Sequence, residues 1–227
     1  MDTEYTLLHM LSGDKGEAEK WIKHYSNRHE ILLVGEGDFS FAACLARAFG
    51  SASNIVATSL DTKEELAVKH PTAAANLAAL ESMGCTVIHG VNASTMREHP
   101  RLKYRLFDRI VFNFPHAGFD SKETDTVQIQ RHQEVVRGFL RNAAAMVKIR
   151  ESGEVHVTHK TAYPFSAWKI EKLGKQAGLE FIKAAPFYLW EYPGYLNKRG
   201  GNGHSIFRSN DTFPVGESST YKFGVGN

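Results

Sequence analysis

Apolar and polar positions along this chain fall into blocks whose period alternates between strand and helix. Residues 31–34 (I-L-L-V) form a continuous aliphatic run, which predicts a strand covered on both faces. They lead straight into G-E-G-D-F-S and then an alanine-rich run to Phe49 that predicts a helix. The unit then recurs. Strand 54–60 (N-I-V-A-T-S-L) ends at Asp61, and a helix over 62–82 is divided at Pro71, which lacks the N–H a helix interior needs. Strand 85–91 precedes Asn92-Ala93, and strand 107–114 (F-D-R-I-V-F-N-F) stops at Pro115. A helix over about 129–150, strand 154–159, a helix over about 166–177 closed by Gly178, and strand 180–186 follow. Strands alternating with helices predict an α/β fold, a three-layer parallel or mixed sheet with helices on both faces.

The ends are less patterned. Residues 1–28 read as an N-terminal extension; within it 17–25 predicts a short helix with Trp21, Ile22 and Tyr25 on one face. That helix either packs on the sheet edge or lies over a ligand as a lid. Residues 29–209 read as one domain. Residues 210–227 read as a polar, loosely held tail, with a terminal strand possible at 221–223.

Composition narrows the class without choosing a function. Of 227 residues, 42% are hydrophobic, enough for one well-buried domain. A net charge of +2 carries no footprint of a nucleic-acid binder by itself. Cys44 and Cys85 sit in apolar or alanine-rich stretches and read as small buried thiols, which suits a reduced intracellular compartment. No run is apolar enough for a membrane span, and no histidine pairs with a cysteine or acid at a metal-ligand spacing, so neither membrane nor metal is expected.

Three constellations carry chemistry. Gly35 and Gly37 allow a tight turn and close backbone approach, and the helix after them offers free N–H groups. Asp61, closing the second strand, stands where nucleotide-binding folds place an acid on ribose hydroxyls, although helix N-capping is an equally good use of it. Position 40 is Ser rather than the third glycine of a dinucleotide fingerprint, and no phosphate loop is present. S-adenosylmethionine (SAM), which has no phosphate, fits that turn better than NAD. Second, Asn113-Phe114-Pro115-His116 ends the fourth strand, where ligands of open α/β sheets bind. Asn can pair with a base edge, Phe can stack on it, and His116 titrates near neutrality as a general base. Third, Y-L-W-E-Y-P-G-Y-L-N-K-R over 188–199 mixes aromatics with Lys198 and Arg199. The early aromatics are expected in the core, with Tyr195, Lys198 and Arg199 nearer the surface to meet RNA.

I-L-L-V-G-E-G-D-F-S-F, A-T-S-L-D, F-D-R-I-V-F-N-F-P-H, V-H-V-T-H-K with Pro164 and Trp168, and Y-P-G-Y together resemble the large-subunit rRNA uridine-N3 methyltransferase family over roughly residues 20–208. The resemblance implies a Rossmann-like SAM-dependent methyltransferase domain, a ribosomal RNA partner, and a nuclear or nucleolar location, with cytoplasm otherwise. By position it implies that Gly35, Glu36, Gly37, Asp38, Phe39 and Ser40 line the methionine and ribose side of SAM. Asp61 takes the ribose, and Asn92 and Ala93 meet the adenine, Asn92 standing where the family often has Asp. Asn113, Phe114, Pro115 and His116 form the catalytic edge. The acid that methyltransferases usually carry two residues before the first glycine is replaced by Leu33, and Glu36 is the candidate substitute. Other readings on the same scaffold are a methyltransferase of a small molecule or protein, and a SAM- or RNA-binding module without turnover.

Overall fold

The computed structural model describes residues 18–118, 121–149, 153–198 and 211–226. After a two-stranded hairpin, β1 (Trp21–Ile22) and β2 (Tyr25–Ser26), the chain enters a seven-stranded sheet. Its elements in order are β3 (Ile31–Val34), α1 (Ser40–Phe49), β4 (Ile55–Thr58), α2 (Lys63–Lys69), α3 (Ala73–Ser82), β5 (Thr86–Ile88), β6 (Arg109–Asn113), α4 (Thr126–Ala144), β7 (Glu154–Lys160), α5 (Ile170–Gln176), β8 (Leu179–Pro186) and β9 (Ser218–Val225). The strand order is β5-β4-β3-β6-β7-β9-β8, with only β9 antiparallel to its neighbours. The order reverses between β3 and β6, so a switch point opens at their carboxyl ends.

Strand periodicity sorts the apolar residues into two cores. Leu32, Val34, Ile110, Phe112, Val155 and Val157 face α4 and α5, while Ile31, Leu33, Ile55, Ala57 and Val111 face α1 and α3. A strand with all four residues buried must be apolar throughout, which is why I-L-L-V reads continuous rather than alternating.

Three sequence expectations are corrected. Residues 18–26 are not helical: Trp21 pairs with Ser26 and Ile22 with Tyr25 around a tight turn with Lys23 at φ 52°. The 21, 22, 25 spacing serves such a hairpin as well as a helix, and a short isolated helix gains little in water. The hairpin is fastened by Tyr25, which packs against Phe41 and Tyr192 and reaches His156 Nδ1 at 3.2 Å. None of residues 18–28 lines the cavities described below, so the lid reading is not supported. The helix expected over 166–177 is broken at Lys169 (φ 55°) into a 3-10 turn, Phe165–Trp168, and α5. The loosely held tail expected at 210–227 does not hold for Ser218–Val225, because β9 is inserted between β7 and β8 with Phe223 fully buried.

Candidate active site

The glycine turn follows β3 and the Asn-Phe-Pro-His corner follows β6. These strands are hydrogen-bonded neighbours in register, Val34 beside Phe112, so the two motifs meet across the switch point. Gly35 sits at φ +70°, and a Cβ there would fall 2.4 Å from the Phe112 ring, so both backbone angle and space require glycine. The turn is pinned from several sides. Glu36 N–H donates to Thr58 O, Asp38 Oδ1 accepts from Ser40 N, Thr72 Oγ1 donates to Asp38 Oδ2, and Asn76 donates to the Asp38 carbonyl.

Two cavities open side by side at this edge. The first, about 160 Å³, runs past Gly35–Asp38, Ser59–Asp61, Phe112–Phe114 and Tyr195–Lys198. The second, about 170 Å³, lies between Phe114, Phe165, Trp168 and Phe213. They share Phe114, His116, Lys198 and Phe213, so a group in one can reach a group in the other.

Charge and orphaned polar atoms give the first cavity its character. Asp61 accepts from Lys69 Nζ at 2.5 Å. Glu36 is buried; burial pushes its carboxyl up to about 8 against the N–H of Ala42, which it accepts at 3.2 Å, and Asp38 adds to the rise. Asn113 Oδ1 and Nδ2 are both buried and have no partner among the described residues. Buried amides are nearly always paired, which makes this one a candidate ligand contact. His70 was not anticipated from sequence. It is 1% exposed, lines the same cavity, and its Nδ1 also lacks a partner among the described residues. Burial lowers its pKa, against Asp38 and Asp61.

The remaining expected residues distribute unevenly. Phe39 is fully buried at φ 60° and packs near His89 rather than lining the cavity. Ser40 Oγ exchanges hydrogen bonds with the Leu196 backbone, a brace for the 196–198 segment. Asn92 is exposed, its Oδ1 accepting from Ser94 N–H, and neither it nor Ala93 borders the cavity. The aromatic expectation is inverted: Tyr188 and Trp190 are exposed, whereas Tyr192 is buried and Tyr195 lies half-buried against Phe41 on the cofactor side. Lys198 lines both cavities, and Arg199 lies outside the described residues.

His116 is held in a way the sequence did not announce. Its Nδ1 accepts from Gly118 N–H at 2.9 Å, so Nε2 carries the proton and donates to Glu123 at 2.7 Å. His132, on α4, repeats the pattern: Nδ1 accepts from Ala117 N–H at 3.1 Å and Nε2 faces the other Glu123 oxygen at 3.0 Å. Burial would raise the Glu123 carboxyl, but these two imidazole donors win and hold it at about 2. The three side chains have the proximity of a metal-ligand set. Yet each Nδ1 is an acceptor, so each Nε2 lone pair is used by a proton, and the arrangement is a hydrogen-bonded bridge strapping the corner to α4. The same pattern corrects the general-base role expected of His116: neither ring nitrogen has a lone pair left for substrate.

Could the residues present hold SAM? A glycine turn without phosphate-binding residues, an acid at the end of the second parallel strand and an unpaired buried amide fit a nucleoside carrying a sulfonium amino acid. Strand order and site position together place the chain among Rossmann-like, SAM-dependent methyltransferases. Solved structures share the fold. The 16S rRNA (adenine(1408)-N(1))-methyltransferase from Catenulisporales acidiphilia aligns with TM-score 0.52 at 13% identity over 88% of this chain and 89% of that one. The ribosomal protein L11 methylase from Lactobacillus delbrueckii subsp. bulgaricus aligns with TM-score 0.50 at 12% identity over 99% and 80%. At such identities the likeness concerns the fold alone.

Within that class the chain belongs to the BMT5-like family, described as rRNA (uridine-N3-)-methyltransferase, which matches residues 32–199. It is 54% identical over 208 residues to an uncharacterised protein of Arabidopsis thaliana, covering 91% of this chain and 97% of that one. It is 49% identical to heavy metal-associated isoprenylated plant protein 41 of Arabidopsis thaliana, over 92% of this chain but only 39% of that protein. The 25S rRNA (uridine(2634)-N(3))-methyltransferase of Saccharomyces cerevisiae is 23% identical, over 78% of this chain and 68% of the yeast protein.

Proposed function

We propose that this chain transfers a methyl group from SAM to N3 of a uridine in ribosomal RNA, acting in the nucleus or nucleolus. The observation that carries the reading is the Asn113 amide, which has no partner among the described residues and lines the cofactor cavity beside Phe114, a wall of both cavities. Its N–H group can donate to a carbonyl flanking uridine N3. The family's description and the yeast relative's name support a uridine imide in rRNA as that partner.

In this reading Gly35–Asp38 cradle the cofactor's backbone side and Asp61 takes the ribose hydroxyls. Bound there, SAM supplies an already activated methyl, so the protein's work is alignment. Phe114 forms a wall common to both cavities and can stack on the base, Asn113 orients its polar edge, and the chain bends at Phe114 itself, at φ 48°, just before Pro115. The Glu123 bridge keeps the corner rigid. A uridine inside a duplex has to be unstacked to enter.

The test is tritiated methyl transfer from SAM to total rRNA, with the methylated nucleoside identified after digestion. Transfer to uridine N3 by the native protein and its loss in Asn113→Ala supports the reading. Transfer to a small molecule or protein pool in place of RNA overturns it. A fluorescent fusion confined to the cytoplasm would remove the nucleolar part.

A further inference from the structure

The second cavity has no assigned role, and its wall combines aromatic rings with two lysines and one carboxylate, Glu123. We infer that it is the acceptor site and that it takes an acidic nucleobase imide as its anion, stabilised by Lys160, Lys198 and the Trp168 indole N–H. The inference rests on the methyltransferase reading above and deepens it.

Shape comes first. Phe114, Phe165, Trp168 and Phe213 wall the cavity, a setting for a flat ring. Four of its residues also border the cofactor cavity, so a base seated here presents its edge to the neighbouring space.

Polarity is the stronger observation. Trp168 is 1% exposed and its Nε1–H has no acceptor among the described residues. The Lys160 ammonium lies 4.9 Å from the Phe165 centroid and 5.1 Å from that of Phe213, held at the wall by their faces. Lys198 stands at the junction, its Cβ beside Gly37. The other titratable groups on the wall are engaged with one another or with backbone. Both His116 nitrogens are engaged, His159 Nε2 faces the Phe165 carbonyl at 3.2 Å, and each Glu123 oxygen meets an imidazole N–H. Two ammonium groups and an indole N–H face one carboxylate, Glu123, whose charge is shared with two imidazole donors, so the wall favours the anion over the neutral imide.

The chemistry then balances without a protein base. The N3–H proton leaves to water, and the N3 lone pair forms a bond to the methyl carbon. The carbon–sulfur bond breaks with its electron pair kept by sulfur. The products are the N3-methyl base, S-adenosylhomocysteine and one proton. Opposite charges within about 4–6 Å shift such an equilibrium by about one to three pKa units.

The experiment uses a single-stranded uridine-rich RNA hexamer in which 5-fluorouridine replaces uridine. Its fluorine resonance reports N3 ionisation directly, without cofactor turnover. Bound to the native protein, the N3 pKa should fall by about one to three units relative to the free hexamer. In Lys160→Met and Lys198→Met it should return toward the free value, while S-adenosylhomocysteine still raises the melting temperature of Lys160→Met, whose side chain lies outside the cofactor cavity. A bound pKa equal to or above the free one, or an unchanged shift in both variants, overturns the inference. So does a hexamer that does not bind. Tritiated methyl transfer to rRNA by the native protein, run alongside, separates the two readings. Transfer without a pKa shift defeats only the anion site, whereas no transfer to any RNA defeats the proposed function as well.

Discussion

Glu36 is the most expensive residue in the site to keep, and its cost can be measured. Its carboxyl is 8% exposed, accepts one N–H from Ala42 and titrates at about 8 rather than 4.5. The folded state therefore favours the protonated form. Stability is fully present below the ordinary pKa and is lost as pH rises through 8. Linkage sets the slope at ~1.4 kcal/mol per pH unit, about 5 kcal/mol over the whole window. Glu36→Gln removes the titration but keeps an oxygen for the Ala42 N–H. The variant should gain on the native protein by about 4 kcal/mol between pH 5 and pH 8. Urea unfolding followed by circular dichroism at both pH values, with matching denaturant slopes, reads the difference. An advantage that stays constant or shrinks with pH would refute the burial argument. On the proposed reading a sulfonium cation held beside Glu36 would favour the ionised form. SAM affinity in the native protein should therefore rise between pH 6.5 and 8.5, and stay flat in Glu36→Gln.

Further expectations follow from single residues. Asn113→Ala should cut methyl transfer about 100-fold or more while leaving the melting temperature unchanged or slightly higher, because the lost amide had no partner to strand. A drop in stability of about 2 kcal/mol or more, twice the net worth of one hydrogen bond, would show that the amide is structural. Asp61→Asn should weaken SAM binding about tenfold, seen as a smaller thermal shift with S-adenosylhomocysteine; an unaltered shift places the ribose elsewhere. Gly35→Ala meets both the positive φ and the Phe112 ring, so unfolding should show a loss of about 2 kcal/mol or more, and native-like stability would contradict the turn geometry.

What the sequence made legible was whatever local pattern could encode. The continuous strands, the glycine turn and the proline-stopped corner all lie where their periods put them, because each depends on residues next to one another. The interior of the second cavity was illegible for the opposite reason. Its walls come from β6, β7, the 3-10 turn after it and Phe213, far apart in the chain and joined only by the sheet. The Glu123 bridge hides likewise, since His116 and His132 meet through a loop and a helix rather than at a spacing a metal motif would show. The hairpin at 21–26 was misread because an apolar triplet in so short a window suits either period. The aromatic segment was inverted because nothing in Y-L-W-E-Y tells which rings the α1 face will accept; Phe41 takes Tyr192 and Tyr195 and leaves Trp190 outside.

If the acceptor enters as an anion, as proposed, that bears on which bases the site can use. An exocyclic amine develops positive charge as it is alkylated and must then shed a proton. Lys160, Lys198 and the Trp168 N–H would oppose that charge, and His116 and Glu123 are already spoken for by each other. An imide or lactam nitrogen behaves differently, because it gives up its proton before attack and brings negative charge into the same surroundings. The donors that disfavour the first class stabilise the second, which makes the cavity selective by electrostatics before any hydrogen-bond code is read. Asn113 then has a smaller task than discrimination among all bases. It has only to orient an anion already chosen, a task open to an amide that has no partner among the described residues and stands beside Phe114, the wall both cavities share.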